Sequence, residues 1–308
     1  MKGIQIDNTS QPQAFCAVNL PMPEPGEKEI LIRVHAAGVT PTELVWYPTT
    51  NTRSGGLRAK AVPGHEFSGV VAALGRNAEG FAVGDEVYGL NDWFADGATA
   101  EFCNTQPQNV ALKPKTLIHA QAATVPIGAL TAWQGLYDRA NLQPGERVLI
   151  HGASGAVGVF ATQFARLRGA VVVATASAEA AAFVSQLGAD ETIDYKSERF
   201  EDKAGKVDVV FDAVGGETRD RSWSVLRPGG RLVTIAADSG AASDQRVKEA
   251  FLLVEANQYQ LKEIARLLDA GTIRTFIRAQ APLEQAPLAY TGGLREQMGY
   301  GKIVINIQ

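Results

Sequence analysis

Two textures of hydrophobic patterning divide this chain. Up to about residue 120, short apolar runs are broken by glycine and proline. Ile30-Leu31-Ile32-Arg33-Val34 follows the turn-prone Pro23-Glu24-Pro25-Gly26, and Gly69-Val70-Val71-Ala72-Ala73-Leu74-Gly75 closes on glycine. Gly84-Asp85-Glu86-Val87-Tyr88-Gly89 repeats the pattern. Such runs predict an irregular barrel of short strands. Beyond Gln121, as far as residue 267, continuous apolar runs alternate with stretches of helical spacing. Residues 147–151, 170–175, 207–212 and 231–235 read as strands, and 156–168, 178–187 and 260–268 as helices. Apolar strands alternating with helices belong to a parallel sheet covered on both faces. The tail 302–307 returns to a strand pattern and is expected to rejoin the first domain. The predicted class is α/β: a catalytic domain over 1–120, a dinucleotide-binding domain over 121–267, and a return segment over 268–308.

Composition narrows the partners. A chain of 308 residues exceeds most single cores and suits two domains. Its 45% hydrophobic and 20% charged residues are those of an ordinary globular protein. A net charge of -4 leaves no basic footprint for nucleic acid. No apolar stretch is long enough to span a bilayer, so no membrane partner is expected. Met1-Lys2-Gly3-Ile4-Gln5-Ile6 alternates like a strand and does not resemble a signal peptide. Cys16 and Cys103 form no CxxC pair and read as two thiols of a reducing compartment, with a disulfide as the alternative. A cytoplasmic location is the expectation.

The first strand and helix of the second region are joined by Gly152-Ala153-Ser154-Gly155-Ala156-Val157-Gly158. Small residues let the backbone turn sharply and approach a pyrophosphate, while the helix N-terminus faces the negative charge. The spacing is GxxGxxG, with Ala153 at the usual second glycine. A bare glycine cluster would mark only a tight turn; a strand before, a helix after and a second strand beyond make it a dinucleotide signature. An NAD site ends its second strand in Asp or Glu. Here the strand ends Ala174-Thr175-Ala176-Ser177, and the Ser177 hydroxyl can hydrogen-bond a 2′-phosphate without repelling it. Glu179 opposes that reading if it turns inward, and no Lys or Arg directly follows Ser177. NADPH is the expected cofactor.

With these pieces in place the chain resembles the medium-chain dehydrogenase/reductase superfamily over nearly its whole length, and within it the zinc-free quinone and enone oxidoreductase branch. The resemblance is carried by Ala36-Ala37-Gly38-Val39-Thr40-Pro41, Pro63-Gly64-His65-Glu66-Phe67-Ser68-Gly69-Val70-Val71 and Val83-Gly84-Asp85-Glu86-Val87-Tyr88-Gly89. Leu130-Thr131-Ala132-Trp133, Leu187-Gly188-Ala189-Asp190, Ile193-Asp194-Tyr195, Phe211-Asp212-Ala213-Val214-Gly215 and Gly301-Lys302-Ile303-Val304 follow in order. It implies a chaperonin-10-like β-barrel catalytic domain, a Rossmann doubly wound parallel sheet, and a cleft holding the nicotinamide. By position it implies cofactor contacts from Thr131, Ser154, Ala156 and Val157, with Ser177 and Tyr195 near the 2′-phosphate. Ala213 and Val214 fall near the nicotinamide ribose, and Ala236, Phe251 and Leu252 beside the ring. Plain packing is the alternative for Tyr195, Phe251 and Leu252. A homodimer through the Rossmann edge strand is also implied.

His65-Glu66 stands where zinc alcohol dehydrogenases have a histidine ligand and its neighbouring glutamate. A catalytic zinc needs three protein ligands, with thiolates typical in this superfamily. The first cysteine position is Thr40, and the second, within Thr124-Val125-Pro126-Ile127-Gly128, is not cysteine either. No metal is expected. Without one, a conjugated carbonyl is the natural acceptor, because hydride can add at its β-carbon and the protein has mainly to align the partners and exclude water. The expected activity is NADPH-dependent reduction of a quinone or α,β-unsaturated carbonyl compound.

Thr40, replacing an asparagine common in the branch, can donate to the nicotinamide ribose or to the substrate oxygen. Tyr47 is a candidate proton donor, since a phenol can hydrogen-bond a developing oxyanion; Trp46 and Tyr47 suit either a cleft wall or the core. Glu43 suits an arginine partner or substrate positioning, and His65 reads as structural. The segments from Tyr290 to Arg295 and from Gln297 to Tyr300 stand before the closing strand, near the cofactor by position. Lys302 is the residue expected to reach it, a solvated lysine being the alternative. Two other functions share these motifs: an enoyl-thioester reductase, and a non-catalytic NADPH-binding protein of crystallin type.

Overall fold

A computed structural model of the chain describes residues 1–10, 13–240, 242–294 and 299–308. Strands β1 (Lys2–Asp7), β2 (Ala14–Asn19), β3 (Ile30–Val39), β4 (Lys60–Ala61), β5 (Glu66–Leu74), β6 (Glu86–Leu90), β7 (Phe102–Thr105) and β8 (Val110–Leu112) come first. Five more follow: β9 (Arg147–His151), β10 (Val171–Ala176), β11 (Glu191–Asp194), β12 (Val207–Asp212) and β13 (Leu226–Thr234). The last two are β14 (Ile277–Pro282) and β15 (Lys302–Asn306). The helices used below are α1 (Gly158–Leu167), α2 (Ala178–Gln186), α3 (Gly216–Ser222), α4 (Gln258–Asp269) and α5 (Ala286–Thr291).

The chain divides into two compact units, 1–127 with 256–308, and 128–255. In the first, β2-β1-β4 form a small antiparallel sheet, and a seven-stranded sheet runs β14-β15-β3-β5-β6-β8 with β7 also on β3. β3 is its organiser. Register shifts at Leu31/Ile32 and Val34/Ala36 bend it, and it pairs with β5 over Ile30–Ala37, with β7 over Ile30–Arg33 and with β15 over Ala36–Val39. Its Ile30, Ile32 and Val34 share a core with Phe67, Val71, Val87 and Val110. That bend explains why the first region reads as broken runs, since curvature is introduced by irregularities in register.

In the second unit, β11-β10-β9-β12-β13 form one parallel sheet. Val148, Leu149, Ile150, Val172, Val173, Ala174, Val209, Val210 and Phe211 are all buried, as strands covered on both faces must be. The chain order reverses direction between β9 and β12, the point where such sheets open a crevice at their carboxyl ends.

The boundaries differ from those expected at 120 and 267. Helix α4 belongs to the first unit, not to the parallel-sheet region. Its Leu261, Ile264, Leu267 and Leu268 are buried, and the buried Tyr88 hydroxyl of β6 donates to Leu261 O at 2.6 Å. An amphipathic pattern states that one face is buried but not against what. No helix among the described residues is long and apolar enough to cross a membrane. Cys16 is exposed and Cys103 buried, both as free thiols.

Candidate active site and cofactor cradle

The cradle begins where β9 runs into the glycine loop. Gly152 has φ +73°, a left-handed conformation that favours glycine. Gly158 opens α1 with no room for a side chain: a Cβ there would collide with Gly152 O and stand 2.6 Å from Ala153 Cα. Gly155, by contrast, is exposed, and a Cβ there would meet only Gly152 O, at 3.3 Å. Two glycines therefore shape the loop and the third leaves its outer side low. The predicted helix start at 156 moves to Gly158, because Gly155, Ala156 and Val157 are spent on the turn. Ser154, Ala156 and Val157 remain partly exposed along it, at the N-terminus of α1, where a helix leaves amide hydrogens without intrahelical partners. Thr131 is buried on the helix Pro126–Trp133, whose Gly128 approaches the loop closely: a Cβ there would stand 2.5 Å from Ala156 O.

Ser177 and Tyr195 meet at one end of the sheet because Ala176 pairs with Asp194, so β10 and β11 finish together. Tyr195 is 61% exposed, which removes the packed-tyrosine alternative. Glu179 turns back toward Ser177, whose hydroxyl is the main cause holding its carboxyl below the usual range, with Lys196 also contributing. Lys196 Nζ lies 3.6 Å from Glu179 Oε2. This lysine was missed in the sequence because it follows β11 rather than β10; strand pairing alone brings it beside Ser177.

Further along the same carboxyl edge, the buried Asp212 carboxylate accepts from the backbone N–H of Val214 and Gly215, each at 3.0 Å, and from the Thr234 hydroxyl at 2.7 Å. It thereby fixes the loop that carries Ala213 and the 55% exposed Val214. A Cβ on Gly152 would stand 3.4 Å from Val214 Cγ2, so this loop adjoins the glycine loop. A Cβ at Gly215 would collide with Ala236. Leu252 N–H donates to Thr234 O at 2.9 Å, and the Phe251 ring covers Gly240, both within this unit. The carboxyl edge of the sheet thus collects the glycine loop, Ser177, Tyr195, Ala213, Val214, Ala236, Phe251 and Leu252. This edge, with a glycine bed and a helix N-terminus, suits a dinucleotide.

A second cluster lies in the first unit around the end of β3. Thr40 precedes the turn Pro41–Val45, which carries the fully buried Glu43. Glu43 Oε1 accepts from the Gly64 N–H at 2.5 Å and lies 3.3 Å from His65 Nδ1. A backbone amide and a histidine therefore take the place of the expected arginine. Glu66, at the start of β5, is fully buried and accepts from the Ile127 N–H at 2.9 Å. Its other oxygen is ion-paired with Lys302, at the start of β15. Lys302 Nζ also donates to Thr40 Oγ1 at 2.9 Å. Only 3% of Lys302 is exposed, so it is not a solvated lysine. Burial pulls its ammonium down to about 7, against the nearby Glu43 carboxylate, which favours the charged form.

Tyr47 is 56% exposed and stands edge-on to Phe94, ring centres 6.4 Å apart. Trp46 meets Trp93 edge-on at 5.3 Å, and Trp93 lies 5.4 Å from the His65 ring. Trp93 and Phe94 went unmarked in the sequence because they fall in a loop after β6 with no periodicity. Tyr290, on α5, is buried with its hydroxyl 3.1 Å from Thr99 Oγ1. Arg295, Gln297 and Met298 lie outside the described residues.

The donors in this cluster do not suit zinc. Thr40 and Glu66 are both engaged by the Lys302 cation, and His65 Nδ1 faces Glu43. Among the described residues no group of three His, Cys, Asp or Glu side chains is placed to hold a metal ion.

Comparison with known proteins agrees with both units. The family described as alcohol dehydrogenase GroES-like domain matches residues 26–134, and that described as zinc-binding dehydrogenase matches residues 187–305. The chain is 32% identical to an NADPH-dependent alkenal/one oxidoreductase, chloroplastic, of Arabidopsis thaliana, over 93% of this chain and 74% of that one. It is 29% identical to the quinone oxidoreductase of Homo sapiens, over 99% and 97%. Its fold matches the quinone oxidoreductase structure from Coxiella burnetii with a TM-score of 0.88 and 28% identity, covering 100% and 99%. A GroES-like unit, a Rossmann-like parallel sheet and relatives that are NAD(P)H-dependent oxidoreductases lead to one assignment: the chain belongs to the medium-chain dehydrogenase/reductase superfamily as a quinone oxidoreductase-like enzyme.

Proposed function

We propose that this enzyme is a zinc-independent NADPH-dependent reductase acting on quinones or α,β-unsaturated carbonyl compounds. The observation that carries the reading is the Lys302 ammonium held between Thr40 and Glu66. It places a cation against Thr40, which stands at a cysteine-ligand position, and against Glu66 beside His65, so activation of a simple alcohol by zinc is unsupported by this donor set. A conjugated acceptor needs no such metal, because its own π system carries the charge to oxygen. The names of the alkenal/one and quinone oxidoreductase relatives support the same acceptor class.

When bound, a nicotinamide cofactor would supply the hydride. The glycine loop, with Ser154, Ala156, Val157 and Thr131, holds the pyrophosphate region. Ser177, Tyr195 and Lys196 bind the 2′-phosphate, Lys196 supplying the positive charge that offsets Glu179. Ala213, Val214, Ala236, Phe251 and Leu252 support the nicotinamide end. In the first unit, Thr40 donates to the substrate oxygen, while Trp46, Tyr47 and Trp93 offer aromatic faces to a planar acceptor. The two free thiols accord with a reducing, cytoplasmic setting. β13, one of the two outer strands of the parallel sheet, offers an edge through which a homodimer would form.

Oxidation of NADPH, and separately of NADH, by metal-stripped protein with 9,10-phenanthrenequinone and a small enone tests this reading. Turnover favouring NADPH without added metal is the expected result. Turnover only after zinc is restored would overturn it, as would a preference for NADH.

A further inference from the structure

Reduction of a conjugated carbonyl leaves an oxyanion that needs a proton, and the first unit contains a built path to one. An ammonium group only donates. The 2.9 Å contact therefore makes Thr40 Oγ1 the acceptor and turns the threonine's own hydrogen away from Lys302. Thr40 is partly exposed whereas Lys302 is buried, so the hydroxyl links a buried donor to accessible surface. Glu66 holds the ammonium from β5, with its second oxygen committed to the Ile127 N–H. Space for that carboxylate depends on Gly38 of β3, where a Cβ would stand 2.6 Å from Glu66 Cγ. Glu43 faces the same region from the turn Pro41–Val45, with His65 against it, and Tyr290 of α5 feels the same Glu43 charge.

From this arrangement, and resting on the reductase reading above, we infer that Lys302 is the proton source of the reaction and delivers through Thr40. Once a hydride, which a bound nicotinamide would supply, has added at the β-carbon, the alkene π pair forms the double bond between the α-carbon and the carbonyl carbon, and the carbonyl π pair moves to oxygen. That oxygen takes the Thr40 hydroxyl proton as Thr40 Oγ1 takes one from Lys302 Nζ. The product leaves as an enol that tautomerises to the saturated ketone, or as a hydroquinone where the acceptor is a quinone. Neutral Lys302 remains beside Glu66 and regains its proton from water. A donor titrating at about 7 suits transfer near neutral pH.

Turnover and titration together test the relay. In the wild-type protein kcat should fall with a one-proton slope as pH rises above about 7, where Lys302 loses its proton. Lys302→Arg keeps the charge beside Glu66, but a guanidinium gives up no proton in this range, so kcat should fall roughly 100-fold and lose its limb near 7. Thr40→Val leaves the ion pair intact and should lower kcat roughly 100-fold at unchanged NADPH affinity measured by fluorescence, with Thr40→Ser restoring most of it. NMR of protein labelled with 13C at lysine Cε should show one lysine titrating near 7 that is absent from Lys302→Arg. A wild-type protein inert toward every quinone and enone sinks the reductase reading and the relay with it. The relay alone is overturned by an active wild type combined with any of three results: Thr40→Val within threefold of wild type, Lys302→Arg within threefold of wild type, or every lysine titrating above 10.

Discussion

On the proposed reading, single side chains at the ends of β10 and β11 set the choice between NADPH and NADH. Ser177 stands out in the sequence because it closes a strand, but Lys196 does not, because only the pairing of Ala176 with Asp194 brings it to the same end of the sheet. Lys196 supplies a charge beside Ser177 and Tyr195, and Glu179 opposes it at 3.6 Å. Lys196→Ala should raise KM for NADPH about fivefold to tenfold, as expected for one exposed charge–phosphate contact, and leave KM for NADH unchanged. Glu179→Gln should lower KM for NADPH a few-fold by removing repulsion. Steady-state kinetics with both cofactors checks the pair, and equal shifts for NADPH and NADH would place the phosphate elsewhere. The aromatic neighbours of the first cluster were equally hidden. Trp46 and Tyr47 follow closely on the Ala36–Pro41 motif, but their partners Trp93 and Phe94 are joined to them only by folding.

At the level of elements, sequence pattern locates strands better than turns. The strand predicted at 147–151 matches β9, and 207–212 matches β12, because a doubly covered strand has little besides apolar residues. The glycine loop shows the limit: its Ala156 and Val157 fit helical spacing yet precede α1. The three glycines also differ in kind, which spacing does not reveal. Gly158→Ala should collide with Gly152 O and cost roughly 1–3 kcal/mol, lowering Tm by several degrees and cofactor affinity at least tenfold. Gly155→Ala meets only one atom, at 3.3 Å, so its Tm should hold while NADPH binding weakens. Calorimetry with NADPH titration separates the two. A loss of Tm in both variants would mean that the loop is shaped by all three glycines.

For the molecule as a whole, the α/β class and the two kinds of unit were legible, whereas their limits were not, because α4 carries its burial pattern without naming its partner. The same burial gives each unit an acid-sensitive histidine. In the parallel-sheet unit, His151 lies between Thr175 Oγ1 at 3.1 Å and Ser222 Oγ at 3.0 Å, and burial drags it from 6.5 to about 4. In the first unit, His119 contacts Ser68 Oγ at 2.8 Å and stacks on His35 with ring centres 4.3 Å apart. Burial, then the His35 charge, holds it at about 4 as well. Both folded values lie below the unfolded one, so between pH 6.5 and about 4 the unfolded chain binds protons that the folded chain refuses. Stability from this source is therefore complete above 6.5 and lost progressively as pH falls toward 4. The loss should reach up to roughly 3 kcal/mol for His151 and less for the half-buried His119, where water screens the charge. Urea midpoints at a series of pH values in that window should decline with a slope near two protons. His151→Gln keeps a hydrogen-bonding side chain that does not titrate, and should remove about one proton from that slope. An unchanged slope in His151→Gln would assign the acid sensitivity to the carboxylates instead, and a slope that is absent altogether would mean that both rings accept protons without leaving the fold.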